Sequence, residues 1–129
     1  MSTLLSVGTA GMSVWFSRDL GETWDRPYIE SGLYPEARVW ALVGDPGVSG
    51  RLFAGTDLGL FRYDAQSERW SHIASPMDGR CIWSLAVSPH DPKLMLAGTQ
   101  PAALYRSADG GRTWEKLDTA MKRFTTSGF

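Results

Sequence analysis

Three segments of the chain end alike, and their spacing limits the fold more than any other feature. They are Ser6-Val7-Gly8-Thr9, Phe53-Ala54-Gly55-Thr56 and Leu96-Ala97-Gly98-Thr99, with the glycines 47 and then 43 residues apart. A tryptophan follows each glycine by 15 or 16 residues, as Trp24, Trp70 and Trp114. A third landmark occurs twice, again 43 residues apart: Val39-Trp40-Ala41-Leu42 and Ile82-Trp83-Ser84-Leu85. Three landmarks in one order at one period define an internal repeat. A unit this short cannot bury its apolar face alone, so the repeats must stack on one another.

Each repeat reads as four strands. Strand A is Val39 to Val43 or Ile82 to Val87, apolar throughout and therefore expected to be buried on both faces. Strand B, at Leu4 to Val7, Arg51 to Ala54 or Lys93 to Ala97, runs into the Gly-Thr pair. Strand C is Ser13 to Ser17, Gly59 to Tyr63 or Ala103 to Ser107, and strand D starts at the repeat tryptophan. Gly44-Asp45-Pro46-Gly47 and Ser88-Pro89-His90-Asp91-Pro92 separate A from B with turn chemistry. No segment of ten or more residues carries a helical period with caps. Four strands over about 40–45 residues is the spacing of a propeller blade. The expected class is all-β: four-stranded antiparallel blades in an incomplete ring of about three repeats. Residues 1–129 form a single segment, with blade 1 at 3–33 lacking its inner strand, blade 2 at 38–77, blade 3 at 81–121 and a tail at 122–129.

Between C and D the first and third repeats read Ser17-Arg18-Asp19-Leu20-Gly21-Glu22-Thr23-Trp24 and Ser107-Ala108-Asp109-Gly110-Gly111-Arg112-Thr113-Trp114. Both fit S-x-D-x-G-x-T-W. The middle copy, Tyr63 to Trp70, keeps only the tryptophan. The pattern resembles the Asp-box, or BNR, repeat of sialidases, sortilin-type receptors and photosystem assembly factors. An Asp side chain accepts backbone N–H bonds to close a tight turn, and glycine two positions later admits positive φ. Threonine then opens strand D, and tryptophan is expected to wedge between neighbouring blades. The resemblance implies that this clasp lies away from any active centre, so that Ser17, Asp19, Gly21, Thr23, Trp24, Ser107, Asp109, Gly111, Thr113 and Trp114 are structural.

Propellers close at about four to eight blades. Three blades would leave outer faces and strand edges open. Completion by further sequence or by association of copies is therefore expected, with Phe124 and Phe129 of the tail lacking obvious partners.

Composition narrows the function classes. Formal net charge is −1, with neither sign in a block, which leaves no electrostatic footprint for nucleic acid or for an anionic membrane. No apolar run approaches the roughly 20 residues of a spanning helix. The N-terminal stretch has no basic n-region, the chain has no asparagine to glycosylate, and Cys81 is its one cysteine. A cytoplasmic location is the expectation. His72 and His90 have no metal-ligand spacing with each other or with Cys81. Asp109-Gly110-Gly111 precedes no helix and no Gly-Lys-Ser/Thr, so it is no phosphate cradle. No metal and no cofactor is expected.

The blade architecture places ligands at the channel mouth, on the D-to-A and B-to-C loops. The D-to-A loops are Ser31 to Arg38 and Ala74 to Cys81; the B-to-C loops are Ala10-Gly11, Asp57-Leu58 and Gln100-Pro101-Ala102. Candidate ligand contacts are Arg38, Trp40, Asp57, Arg80, Trp83 and Gln100. Arginine beside an aromatic surface suits a carboxylate or a sugar; the opposing reading has the tryptophans filling the channel and the arginines solvated. Glycosidase chemistry needs two facing carboxyls, or a tyrosine nucleophile. On this face those would come from Glu36, Asp57, Asp78 and Tyr34. No Arg-Ile-Pro segment of the sialidase kind occurs, and Arg26-Pro27-Tyr28 is the nearest string. A binding or assembly module is expected, with itself, a protein or a carbohydrate as partner. The alternative is a BNR-type glycosyl hydrolase whose site is complete only in a longer chain or an oligomer.

Overall fold

The computed structural model describes residues 3–26 and 29–118. The expectations for the tail, and for Pro27 and Tyr28, lie outside those residues. Three antiparallel sheets follow one another along the chain. The first pairs β1 (Leu5–Gly8) with β2 (Val14–Ser17). After a 3-10 turn at Ile29–Ser31 come β3 (Val39–Gly44), β4 (Arg51–Thr56), β5 (Gly59–Asp64) and β6 (Arg69–Ile73), in that spatial order. The third sheet runs β7 (Cys81–Val87), β8 (Met95–Gln100), β9 (Ala103–Ser107) and β10 (Glu115–Lys116). Each strand pairs with its sequence neighbour, as consecutive hairpins do.

The sheets stack face to face over two cores. Val14 and Phe16 of the first sheet pack on Val39, Ala54, Phe61, Tyr63 and Trp70 of the second. Phe53 and Leu60, from the second sheet's other face, pack on Ile82, Met95, Ala97, Tyr105 and Trp114 of the third. Side-chain alternation sends successive residues to opposite faces, so one strand feeds both cores: Ala54 goes one way and Phe53 the other. The repeat glycines sit where one sheet meets the first residue of the next. A Cβ on Gly8 would lie 2.6 Å from Val39 Cγ1, and one on Gly55 2.6 Å from Ile82 Cγ2. The Gly-Thr landmark is thus a packing requirement between sheets.

Two expectations need correction. The A strands are not buried on both faces: Trp40, Trp83, Ser84 and Ala86 are exposed, because β3 and β7 each have one side open. Strand D of the first repeat is represented among the described residues by a single antiparallel bridge, Phe16 to Asp25, and the rest of its expected span lies outside them. Trp24 is not a wedge between sheets either. It is 37% exposed, whereas Trp70 and Trp114 are 3% and 7% exposed, since no sheet precedes the first one among the described residues.

Candidate functional site

The two S-x-D-x-G-x-T-W segments fold into the same hydrogen-bonded turn. In the first, Ser17 Oγ donates to Asp19 Oδ1 at 2.9 Å, and Gly21 N–H donates to Ser17 Oγ at 2.8 Å. Thr23 reaches the same carboxylate twice, through its N–H at 2.8 Å and its hydroxyl at 2.5 Å. Trp24 Nε1 closes on Gly21 O at 3.0 Å. The third repeat matches it bond for bond, with 2.8, 2.9, 2.9, 2.5 and 2.9 Å. Gly111 has a second reason to be glycine: besides φ +91°, a Cβ there would meet Phe53 at 3.2 Å. The middle repeat makes an ordinary hairpin instead, with Glu68 N–H donating to Asp64 O at 2.9 Å and Glu68 at φ 54°. Its Asp64 takes ion pairs from Arg51 and Arg62 at 3.0 and 3.1 Å.

The Asp19 and Asp109 carboxylates each accept three hydrogen bonds from within their own turn, which engages both oxygens in holding it closed. The Thr113 hydroxyl, then its N–H, holds Asp109 down at about 2, below the ordinary 3.8; Thr23 does the same for Asp19. A carboxyl whose pKa falls on folding stabilises the fold above its unfolded value, and that contribution disappears as pH drops through the folded one. Stability is therefore expected to decline between about pH 4 and pH 2, the window these two carboxyls set. The Asp19→Asn, Asp109→Asn double variant should decline less steeply over that window in denaturant titrations. An unchanged slope would assign the acid loss to other groups.

The opposite ends of the sheets carry different chemistry. At the β4–β5 turn, Asp57 Oδ1 accepts from the Tyr34 hydroxyl and from Arg38 N–H, the latter at 3.2 Å. Burial, reinforced by the Asp57 carboxylate, pushes the Tyr34 phenol well above its ordinary value. Beside the same turn, His72 Nε2 lies 2.9 Å from Asp78 Oδ1, and Asp78 Oδ2 accepts from Ser75 N–H at 3.3 Å. Gly59, at φ +103°, lies beneath this pair; a Cβ there would collide with Asp78 Oδ1. Arg80 Nη1 donates to Pro101 O at 2.9 Å, and Gln100 is exposed at the end of β8.

Trp40 and Trp83 face each other from adjacent sheets, with ring centroids 6.1 Å apart and planes at 54°. Both sit at the irregular step in their strands: pairing passes from Val39 to Ala41 and from Ile82 to Ser84, skipping each tryptophan. A bulge re-aims a side chain, and these two leave their rings 41% and 55% exposed. The structure thus gathers Tyr34, Arg38 and Asp57 at one turn and pairs Trp40 with Trp83, while Arg80 turns one of its guanidinium nitrogens to a backbone carbonyl. Glu36 makes no hydrogen bond or ion pair among the described residues. The His72–Asp78 pair escaped the sequence reading, since six residues of separation across a strand end carry no spacing signal. Among the described residues no group of three or more His, Cys, Asp or Glu is placed to hold a metal.

No protein-family model matches the chain, and no curated protein matches it in sequence. Solved structures do match. An ancestral GH74 enzyme superposes with a TM-score of 0.69 at 20% identity, over 88% of this chain and 16% of that one. The GH74 xyloglucanase of Xanthomonas campestris gives 0.65 at 28% identity, over 88% and 18%. YCF48, solved with a D1 peptide, gives 0.62 at 20% identity, over 90% and 36%. Stacked four-stranded antiparallel sheets shared with these proteins decide the architecture. The chain is a β-propeller segment. It spans between 16% and 36% of the length of these three propellers. The second and third sheets are four-stranded blades whose first strands, β3 and β7, each leave one side open among the described residues. Trp40 and Trp83 sit on that open side, and the Asp-centred turns lie at the opposite ends of the blades.

Proposed function

We propose that this chain is a binding and assembly module of the Asp-box propeller kind, and that it takes its ligand at the end of the blades carrying Trp40, Trp83, Arg38 and Asp57. The observation that carries the reading is the tryptophan pair. Two large rings, set out of register on equivalent strands and left open, cost solvent-exposed apolar area that an unliganded core would have buried. Aromatic surface bordered by arginine and a carboxylate offers stacking area and orienting polar groups together. YCF48, one of the matching propellers, binds a peptide, and a protein segment or a carbohydrate suits this surface here too.

Hydrolysis is the weaker reading. A tyrosine nucleophile needs a base at its hydroxyl, and Asp57 stands in that place at Tyr34. Burial, with the carboxylate beside it, nonetheless pushes the phenol well above its ordinary value and so disfavours the phenolate. Asp57 and Asp78 are each already engaged by neighbouring donors. The test is a tryptophan-fluorescence titration with arrays of peptides and of oligosaccharides, xyloglucan fragments included. Binding is expected from one array, with a loss of at least tenfold in Trp40→Ala and no release of reducing sugar. Failure of both arrays, or binding indifferent to Trp40→Ala, would overturn the proposal. Sugar release abolished by Asp57→Asn would establish the hydrolase reading in its place.

A further inference from the structure

Among the described residues, the two outer faces of the stack are the two exposed halves of an interface that the molecule makes twice inside itself. The pairing registers put Val14, Leu60 and Leu104 at one equivalent position, opposite Gly8, Gly55 and Gly98. Val14 and Leu60 are completely buried by the following blade, whereas Leu104 is exposed. On the neighbouring inner strand, Phe53 is buried against the third blade, and its equivalent Leu96 is exposed. Gly8 and Gly55 lie under Val39 and Ile82 of the next blade, while Gly98 meets only Ser84 of its own. The exposed face of the last blade therefore has the character of a face that elsewhere in the chain is covered.

The first blade shows the opposite half. Val7 and Trp15 stand where Ala54 with Phe61, and Ala97 with Tyr105, are packed by a preceding blade. Trp24 stands where Trp70 and Trp114 are buried. Leu5 and Val7 are exposed, and a shallow groove of 290 Å³ opens between Val7, Thr9, Trp15 and Trp24. Gly111 carries Phe53 of the preceding blade against it, whereas Gly21 has no neighbour from another blade.

We infer that the Trp24 face of one copy seats on the Leu104 face of a second copy, head to tail. The occupant follows from continuity: both internal interfaces join a face of the Leu60 kind to a face of the Trp70 kind, and among the described residues one copy exposes one of each. Such a contact is heterologous, so it closes into a ring when the rotation allows and otherwise runs on as an open chain. The inference rests on the propeller fold and is independent of the Trp40–Trp83 platform.

Sedimentation velocity over a dilution series tests it on the full chain, with Trp24→Lys and Leu104→Lys. Both side chains are substantially exposed, and Val7→Lys replaces the first if Trp24→Lys loses its near-ultraviolet dichroism. The wild type is expected to sediment as a multimer that dissociates on dilution, and each lysine variant as a monomer. An equimolar mixture of the two variants should recover a one-to-one dimer, because the intact face of each meets the intact face of the other. A wild type that is monomeric at every concentration would overturn the inference. So would assembly that survives Trp24→Lys, or a mixture that stays monomeric while the wild type assembles.

Discussion

Trp114→Ala is expected to destabilise the chain by about 3–5 kcal/mol, the usual cost of emptying a buried aromatic site, while Trp24→Ala costs about 1 kcal/mol or less at concentrations where the chain is monomeric. The two residues end the same eight-residue motif and make the same indole bond back to a glycine carbonyl, at 2.9 and 3.0 Å. Only their surroundings differ. Trp114 packs in the core between the second and third blades with Phe53, Met95 and Tyr105. Trp24 stands on the outer face of the first blade. A large-to-small change costs the transfer free energy of the lost atoms plus that of the cavity left behind, and an exposed site leaves no cavity. Chemical denaturation of both variants beside the wild type measures the difference. Equal losses would mean that Trp24 is covered in solution, by a partner copy or otherwise, and repeating the comparison on dilution separates those cases.

Gly32→Ala is expected to be at least as damaging, at about 3 kcal/mol or more, combining overpacking with backbone strain. Gly32 follows the 3-10 turn with φ +105°, a conformation that L side chains rarely adopt, and its N–H donates to Ile29 O at 2.9 Å. A Cβ built there runs into the carbonyl oxygen of Trp70. The obstacle is backbone inside the second blade, so no side-chain rotation relieves it, and either β6 or the loop must move. Such movement would also disturb Leu33, which is buried in the first core, and Tyr34, which holds Asp57. Loss of cooperative unfolding, or a midpoint shifted by this amount, is the expected result; Gly11→Ala, at φ +120° with open space around it, is the control for strain without collision.

Much of this architecture is legible in the chain because it is made by local chemistry. The Ser17 and Ser107 turns need only side chains two and four residues away, so the motif read from sequence and the hydrogen bonds found in the structure coincide. Hairpin order was equally accessible, since strands joined by short turns pair with their neighbours. The inner strands misled because their apolar sequence reads the same whether one face or two are covered. In the structure β3 and β7 each have one side open, and a bulge turns Trp40 and Trp83 outward.

The candidate site was less legible. Tyr34, Arg38 and Asp57 were all nominated from their loops, but nothing in their spacing says that the phenol and the carboxylate meet across 23 residues. The His72–Asp78 pair was invisible for the same reason.

By itself, then, the sequence determined the repeat, the strand order within each sheet and the two Asp-centred turns, all of which follow from contacts between residues close along the chain. Only the tertiary structure decided which tryptophan is buried, which arginine is free and which carboxylate is engaged. Each of those depends on whether another sheet lies against that side chain, and identical motifs at positions 24 and 114 cannot encode the difference.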